Sequence, residues 1–340
     1  MVSTTSPIHG GPDGQGVPLH DFSTNSNACG PCPQTLAAVQ ACDASRYPDP
    51  SYTALKSQLA DFHGVEPQRI VLAGSASEFI FRITAWVAQQ GGKTVRVPLH
   101  AYGDYTQAAR AWGLSVVTAG QDAALRWHAD PSSPLGQSEA GDDAVSGCAS
   151  VQVLDCAYEP LRLSGTSVWT TAQRDALWQL YTPNKALGLT GVRAAYAIAP
   201  QDSAPAVATL DALCASWPIG AHGTALLHSW VQAVTQTWLH GSLQILRGWK
   251  LRQIQSLLDV DWTVRPSETP FFCVQPPSGV DAVALCTQLR AQGIKLRDAT
   301  SFDLPGWVRI SVQAPAAQDA LQTALRTTVP SPHLETMHAR

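Results

Sequence analysis

Ile70-Val71-Leu72-Ala73-Gly74-Ser75-Ala76-Ser77-Glu78 is a short apolar run that stops on a glycine and gives way to serines and an acid. Four aliphatic residues bounded by glycine read as a buried strand, and the Gly74-to-Glu78 turn then opens an amphipathic helix through Trp86. The same grammar recurs on both sides. Upstream, Arg46-Tyr47-Pro48-Asp49-Pro50-Ser51 is a turn, followed by a helix with Leu55, Leu59 and Phe62 on one face. Downstream, Val95-Arg96-Val97 is a strand, Gly103 to Trp112 a helix and Leu114 to Val117 a strand. Ala149 to Leu154 is an apolar strand ending in Asp155, and Tyr196 to Ala199 is another. Strands alternating with helices predict an α/β fold whose ligands sit at the carboxyl ends of the strands. From Asp202 onward long helical stretches surround Trp217 to Ile254. Strands are then expected at Thr269 to Val274 and Val308 to Val312. Residues 129–147, rich in Asp, Ser, Pro and Gly, read as loop.

Composition narrows the function classes. The chain has 340 residues, 14% of them charged and 45% hydrophobic, which suits two packed domains and excludes a disordered chain. No run of 18 apolar residues exists, so a membrane span is not expected. Met1 to Gly16 is polar and glycine-rich, unlike a secretory signal, and a cytoplasmic protein is expected. A net charge of −4 argues against nucleic acid as a partner. The eight cysteines are scattered. Cys29-Gly30-Pro31-Cys32 has the spacing of a thioredoxin-type redox motif, but the Ser23-to-Asn27 segment before it is turn-like where that chemistry needs a strand. A loop with two free thiols is the better reading. No four-ligand cluster accompanies the pair, so no metal is expected.

Three features carry chemistry. Lys185 is one of only five lysines and sits among small residues in Tyr181-Thr182-Pro183-Asn184-Lys185-Ala186-Leu187-Gly188-Leu189-Thr190-Gly191-Val192-Arg193. A lysine in poorly solvated surroundings loses its proton more easily, which suits Schiff-base chemistry with an aldehyde. Asp155 ends an apolar strand, where a carboxylate needs a cationic partner such as a protonated pyridine nitrogen. Gly74-Ser75-Ala76-Ser77 offers free backbone N–H groups at a helix start, a ready phosphate site. Taken one at a time, a loop lysine, a strand-end N-cap and a helix cap would look the same. In this order they spell a phosphate cup, a pyridine anchor and a Schiff-base lysine.

On these residues the sequence resembles the fold-type I pyridoxal phosphate enzymes of the class I/II aminotransferase superfamily. The likeness is to the branch of histidinol-phosphate aminotransferase and the cobalamin-pathway threonine-phosphate decarboxylases, and it runs from about His9 to Val312. Its most specific part is Lys185 to Arg193. Asp21 to Asn27 with Gly30-Pro31, Arg46 to Pro50, and Gly306-Trp307-Val308-Arg309-Ile310-Ser311-Val312 add support.

The resemblance implies a mostly parallel mixed sheet between helices in a large domain, 46–235. A smaller α+β domain would be built from 1–45 and 236–340. Pyridoxal 5'-phosphate would be the cofactor, joined to Lys185, with Asp155 on the ring nitrogen, Tyr158 on the ring hydroxyl and Tyr102 stacked on the ring. Ser75, Ala76, Thr182 and Arg193 would bind the phosphate. Tyr47 would reach the partner subunit's site, making a homodimer the working unit. Asn25 would line the substrate pocket and Arg309 would grip the anionic end of a small amino substrate.

One segment departs from the pattern. The loop Asp130-Pro131-Ser132-Ser133-Pro134-Leu135-Gly136 places Ser133 where the family has an asparagine on the ring hydroxyl. The expected activity is transamination. A lyase that decarboxylates a phosphorylated amino acid is the alternative, favoured by His9-Gly10-Gly11 at the N-terminus, and a catalytically impaired cofactor-binding paralogue is a third reading. For Arg309 the bland alternative is a salt bridge to Asp298 or Asp303.

Overall fold

The structure is a computed structural model that describes residues 9–117, 120–138 and 150–328. Residues 1–8 of the polar N-terminal segment, 139–147 of the expected 129–147 loop, Cys148 and Ala149 lie outside the described residues. The strands are β1 (His20–Asp21), β2 (Ile70–Ala73), β3 (Thr94–Arg96), β4 (Ser115–Val117), β5 (Leu125–Ala129), β6 (Val151–Asp155), β7 (Trp178–Tyr181), β8 (Ala195–Ile198), β9 (Thr263–Val264), β10 (Phe271–Gln275), β11 (Ile294–Lys295), β12 (Arg297–Asp298) and β13 (Val308–Ser311). The helices are α1 (Pro33–Ala41), α2 (Thr53–His63), α3 (Ala76–Gln89), α4 (Gly103–Ala111), α5 (Thr171–Asp175), α6 (Ala204–Ala212), α7 (Ala221–Trp230), α8 (Ala233–Leu258), α9 (Ala282–Ala291) and α10 (Pro315–Thr328).

Seven strands form one mixed sheet in the order β2-β8-β7-β6-β5-β3-β4. Only β8 runs antiparallel to its neighbours; the other six share one direction. Strands β2, β7 and β8 are buried along their whole length, because helices cover both faces of a parallel sheet. The two faces divide their side chains by the period of two. Ile70, Leu72, Tyr196 and Ile198 pack on one side with Leu59 and Trp230. Val71, Ala73, Ala195 and Ala197 pack on the other with Phe79, Ile83 and Leu210. Helix α2 buries Leu55 and Leu59 as its spacing predicts, but Phe62 stays 39% exposed at the edge of that face, edge-on to Trp230.

A second, antiparallel sheet has the order β12-β13-β10-β9. Phe272, Val274, Val308 and Ile310 form its core with Leu285 of α9 and Leu321 of α10. The short parallel pair β1–β11 ties the start of the described chain to this region. Helix α1 packs Val39 with Leu226 and Trp230 of α7, beneath the large sheet.

Candidate active site

Because six strands share one direction, the chain leaves β2, β3, β5, β6 and β7 at one edge of the sheet, and β8 enters there. The residues that follow each strand therefore converge: Ala76 and Ser77 after β2, His100 to Gly103 after β3, Pro131 and Ser133 after β5, Ala157 and Tyr158 after β6, Thr182, Asn184 and Lys185 after β7, and Arg193 just before β8. All of them line one cavity of about 340 Å³, which also receives His9, Asn25 and Arg309.

Asp155 closes the floor. Tyr105 of α4 donates its hydroxyl to Asp155 Oδ2 at 2.6 Å, and the Ala157 N–H donates to Oδ1 at 2.9 Å. Burial raises the carboxyl's pKa, while the Tyr105 hydroxyl, the charge of Lys185 and the Ala157 N–H pull it back. Tyr105 is itself fixed by stacking on Trp127, ring centres 4.3 Å apart. A buried carboxylate with neutral donors on both oxygens and no bonded cation among the described residues is a site that gains from a cation beside it.

The loop carrying Lys185 is stapled from within and from outside. Asn184 Nδ2 donates to the carbonyls of Val192 (3.1 Å) and Thr190 (3.3 Å), and the Thr182 hydroxyl donates to Asn184 Oδ1 at 2.9 Å. From the N-terminal segment, the Asn27 N–H donates to the Lys185 carbonyl at 3.0 Å and the Cys32 N–H to the Leu187 carbonyl at 2.8 Å. Gly188 adopts a φ of 68° and approaches Gly30 so closely that a Cβ on either would stand 2.8 Å from the other's Cα. The Cys29-Gly30-Pro31-Cys32 segment is thus a brace behind the lysine loop. Cys32 is fully buried, and burial pushes the Cys29 thiol up to about 11, the reverse of a reactive pair. The Lys185 ammonium stands 5.2 Å from the centre of the Tyr158 ring. Asn25 Nδ2 donates to the Tyr158 hydroxyl at 3.4 Å, and Asn25 Oδ1 is buried with no partner among the described residues.

Arg309 approaches from the second sheet. Its Nη2 donates to the Ser23 carbonyl at 2.7 Å, its Nε has no partner among the described residues, and it sits 5.5 Å from the Phe302 ring centre. No ion pair to Asp298 or Asp303 forms. Arg297, its partner across the β12–β13 ladder, also lines the cavity.

These features match a known family. The aminotransferase class I and II family matches residues 18–135 and 149–327. The chain belongs to the class I and II aminotransferases. Histidinol-phosphate aminotransferase of Haloquadratum walsbyi is 27% identical over 323 residues, covering 86% of this chain and 81% of that protein. Histidinol-phosphate aminotransferase 2 of Burkholderia mallei is 26% identical, covering 90% and 91%. Among solved structures, histidinol-phosphate aminotransferase of Sinorhizobium meliloti in complex with pyridoxal-5'-phosphate has a TM-score of 0.76 at 21% identity, covering 92% and 90%. L-threonine-O-3-phosphate decarboxylase of Porphyromonas gingivalis has a TM-score of 0.75 at 20% identity, covering 91% and 99%. Both share the fold.

Within this aminotransferase, ten of the sequence-derived residues stand at the cavity: Asn25, Ala76, Tyr102, Ser133, Asp155, Tyr158, Thr182, Lys185, Arg193 and Arg309. Two do not. Ser75 is the N-cap of α3, its hydroxyl accepting from the Glu78 N–H at 3.0 Å, and it is Ser77 that lines the cavity, 3.3 Å from the Tyr102 hydroxyl. Tyr47 lies outside its own chain's cavity, 77% exposed and stacked on Trp217. Arg309 is only 7% exposed. Sequence reasoning passed over Tyr105, Asn184 and Arg297. Tyr105 was visible one helical turn after Tyr102. Arg297 lies on a two-residue strand that leaves no periodic signal.

Proposed function

We propose that this chain is a pyridoxal phosphate-dependent transaminase acting on a small amino compound with an anionic, phosphorylated or carboxylated end, in the manner of histidinol-phosphate aminotransferase. The observation that carries the reading is the convergence of Lys185, buried Asp155 and Arg309 on one cavity. The donor set fits the cofactor: an amine for its aldehyde, a carboxylate lacking a cation for its ring nitrogen, and a helix start with Ser77, Thr182 and Arg193 for its phosphate. When bound, pyridoxal phosphate supplies an aldehyde that takes up amines and a ring that withdraws electrons from the substrate's Cα.

The chain's own residues would do the rest. Lys185, the one lysine among the described residues that line the cavity, would hold the aldehyde and then move the proton at Cα. Asp155 would keep a proton on the ring nitrogen, its charge held in place by Tyr105 and the Ala157 N–H. Tyr102 would cover one face of the ring, and Tyr158, oriented by Asn25, would donate to the ring hydroxyl together with Ser133. Arg309 would bind the substrate's anion with the donors it does not spend on Ser23.

The exposure of Tyr47 supports a homodimer in which it enters the partner subunit's site. The two sheets support a large domain at 46–235 and a small one formed by 1–45 and 236–340, with α1 at their junction. The proposal keeps the cytoplasmic location expected from composition; among the described residues no helix is long and apolar enough to cross a membrane.

A decarboxylase acting on a phosphorylated amino acid is the second reading, favoured by His9 and Gly10 at the cavity wall. Incubating the cofactor-loaded enzyme with histidinol phosphate plus 2-oxoglutarate, and separately with O-phosphothreonine, tests both. Glutamate formation in the first supports the transaminase, and carbon dioxide release in the second supports the lyase. A loaded enzyme inert to both would support the impaired paralogue.

A further inference from the structure

Behind the Ser133 loop lies a set of buried and half-buried charges that the proposed chemistry does not use. Asp130, at the end of β5, is completely buried. Its Oδ1 accepts from Arg162 Nη2 at 2.7 Å and its Oδ2 from the Ser167 hydroxyl at 2.5 Å. The other amino group of Arg162, Nη1, pairs with Glu268 and donates to the Ser138 hydroxyl at 2.7 Å. Glu268 belongs to the segment between β9 and β10, on the second sheet. Its backbone joins the same junction: the Glu268 N–H donates to the Gly136 carbonyl and the Leu163 N–H to the Glu268 carbonyl, both at 2.6 Å. One guanidinium therefore clasps two carboxylates from segments 138 residues apart, with the loop 130–138 between them.

Asp130 is also one peptide away from the floor of the site, since its N–H donates to the Asp155 carbonyl at 3.1 Å. The loop it anchors presents Pro131 and Ser133 to the cavity. A serine has a single short hydroxyl, so the backbone beneath it must deliver that oxygen to its target, where a longer side chain could have swung across. Gly136 shows how tightly the loop is held: its φ is 68°, and a Cβ there would stand 2.3 Å from the Thr269 hydroxyl and 2.4 Å from that of Ser267. We propose that the Asp130–Arg162–Glu268 clasp fixes the Ser133 loop against the cavity, so that Arg162 and Glu268 are positioning residues for the cofactor's ring hydroxyl.

This inference rests on the cofactor reading above, and the experiment separates the two. Wild type, Glu268→Gln, Arg162→Lys and Arg162→Met are compared as full-length chains. The measurements are hydrogen exchange of the 131–138 segment without cofactor, the dissociation constant for pyridoxal phosphate, and the pH titration of the bound cofactor's visible band. In Glu268→Gln, which keeps the shape and removes one charge from the clasp, the segment should exchange faster and the titration midpoint should move by about one pH unit, equivalent to a tenfold change in that equilibrium. Cofactor affinity should weaken and KM for the amino donor should stay within about twofold of wild type. Arg162→Met should show the larger effects and Arg162→Lys should recover part of them. A melting temperature that falls while the titration midpoint and exchange stay at wild-type values would make the clasp merely structural and overturn the inference. Failure of wild type itself to take up pyridoxal phosphate would instead overturn the cofactor reading.

Discussion

Lys185→Ala should abolish turnover and the borohydride-reducible bond to pyridoxal phosphate while leaving the fold intact. Each of three other lysines has a partner of its own: Lys56 with Asp211, Lys295 with Asp13, and Lys250 with the Ser267 carbonyl. Neither they nor Lys93 line the cavity, so a peptide map should find no cofactor fixed elsewhere; a wild-type level of fixed label in the variant would remove Lys185 from the role. Asp155→Asn keeps the shape and loses the charge. Cofactor should still bind, and the rate should fall by orders of magnitude, because a neutral amide cannot keep the ring nitrogen protonated. An unchanged rate would dismiss the anchor. On the proposed reading Arg309 would have two jobs, holding the Ser23 carbonyl and the substrate's anion. Arg309→Lys should raise KM for the anionic substrate, since an ammonium lacks the paired donors of a guanidinium. It should also cost roughly 1.5–3 kcal/mol of stability, the size of a charged buried hydrogen bond, through the loss of the Ser23 contact. Urea unfolding and steady-state kinetics on one preparation read both effects; a change in stability with KM untouched would leave the anion-binding residue to be found.

At the level of elements, the start of α3 separates two serines that the chain writes two positions apart. Ser75 spends its hydroxyl on the Glu78 N–H, whereas Ser77 turns to the cavity beside Tyr102. Ser75→Ala should therefore cost about 1 kcal/mol of stability, the usual worth of an N-cap, with a small effect on cofactor affinity. Ser77→Ala should weaken cofactor binding and leave the melting temperature nearly unchanged. Equal effects from both would mean that the helix starts differently in the loaded enzyme. Which serine faces the ligand was not legible in the sequence, because either hydroxyl could cap or bind and only the helix start decides. The strands show the same limit. β2 and β8 announce themselves as unbroken apolar runs, for they are buried along their whole length, and β6 is readable from Val153-Leu154 despite Gln152. β5 hides because Arg126 and His128 interrupt it; their polar ends find Asp122 and Gln152 in the folded sheet. β7, Trp178-Gln179-Leu180-Tyr181, hides for the same reason, Gln179 donating to the Arg174 carbonyl. Lys185 and Asp155 were legible because their chemistry is odd in an apolar setting. The Asp130–Arg162–Glu268 clasp was not, since charges far apart in sequence meet only in three dimensions.

For the molecule as a whole, acid should be the weak side, and two histidines set the sign. His63 is half-buried with its Nε2 2.8 Å from the Tyr196 hydroxyl, and loss of water around it, then the charge of Arg174, push its pKa down to about 4. His128 packs against Trp169, and burial likewise pushes it down to about 4, with Arg96 and Arg126 adding to the shift and Gln152 opposing it. An unfolded chain protonates both near pH 6.5, whereas the folded chain keeps them neutral until about 4. Between those limits the unfolded state binds more protons, so stability falls as the pH drops through that window. Each histidine could contribute up to roughly 3 kcal/mol of this loss below pH 4, by linkage. Asp155 acts in the opposite direction, because a carboxyl whose pKa is raised by burial binds its proton more readily in the folded state. Glu78, also raised by burial, acts with Asp155, while His228, Asp13, Asp43 and Asp49, all lowered, act with the two histidines, so the melting temperature should decline steadily from pH 7 to 4.5. The double variant His63→Gln, His128→Gln, though less stable at pH 7, should show a flatter decline over the same range. Calorimetric scans of both proteins decide it: parallel curves would assign the acid loss to carboxylates, and a shallower curve for the variant would assign it to these two half-buried rings.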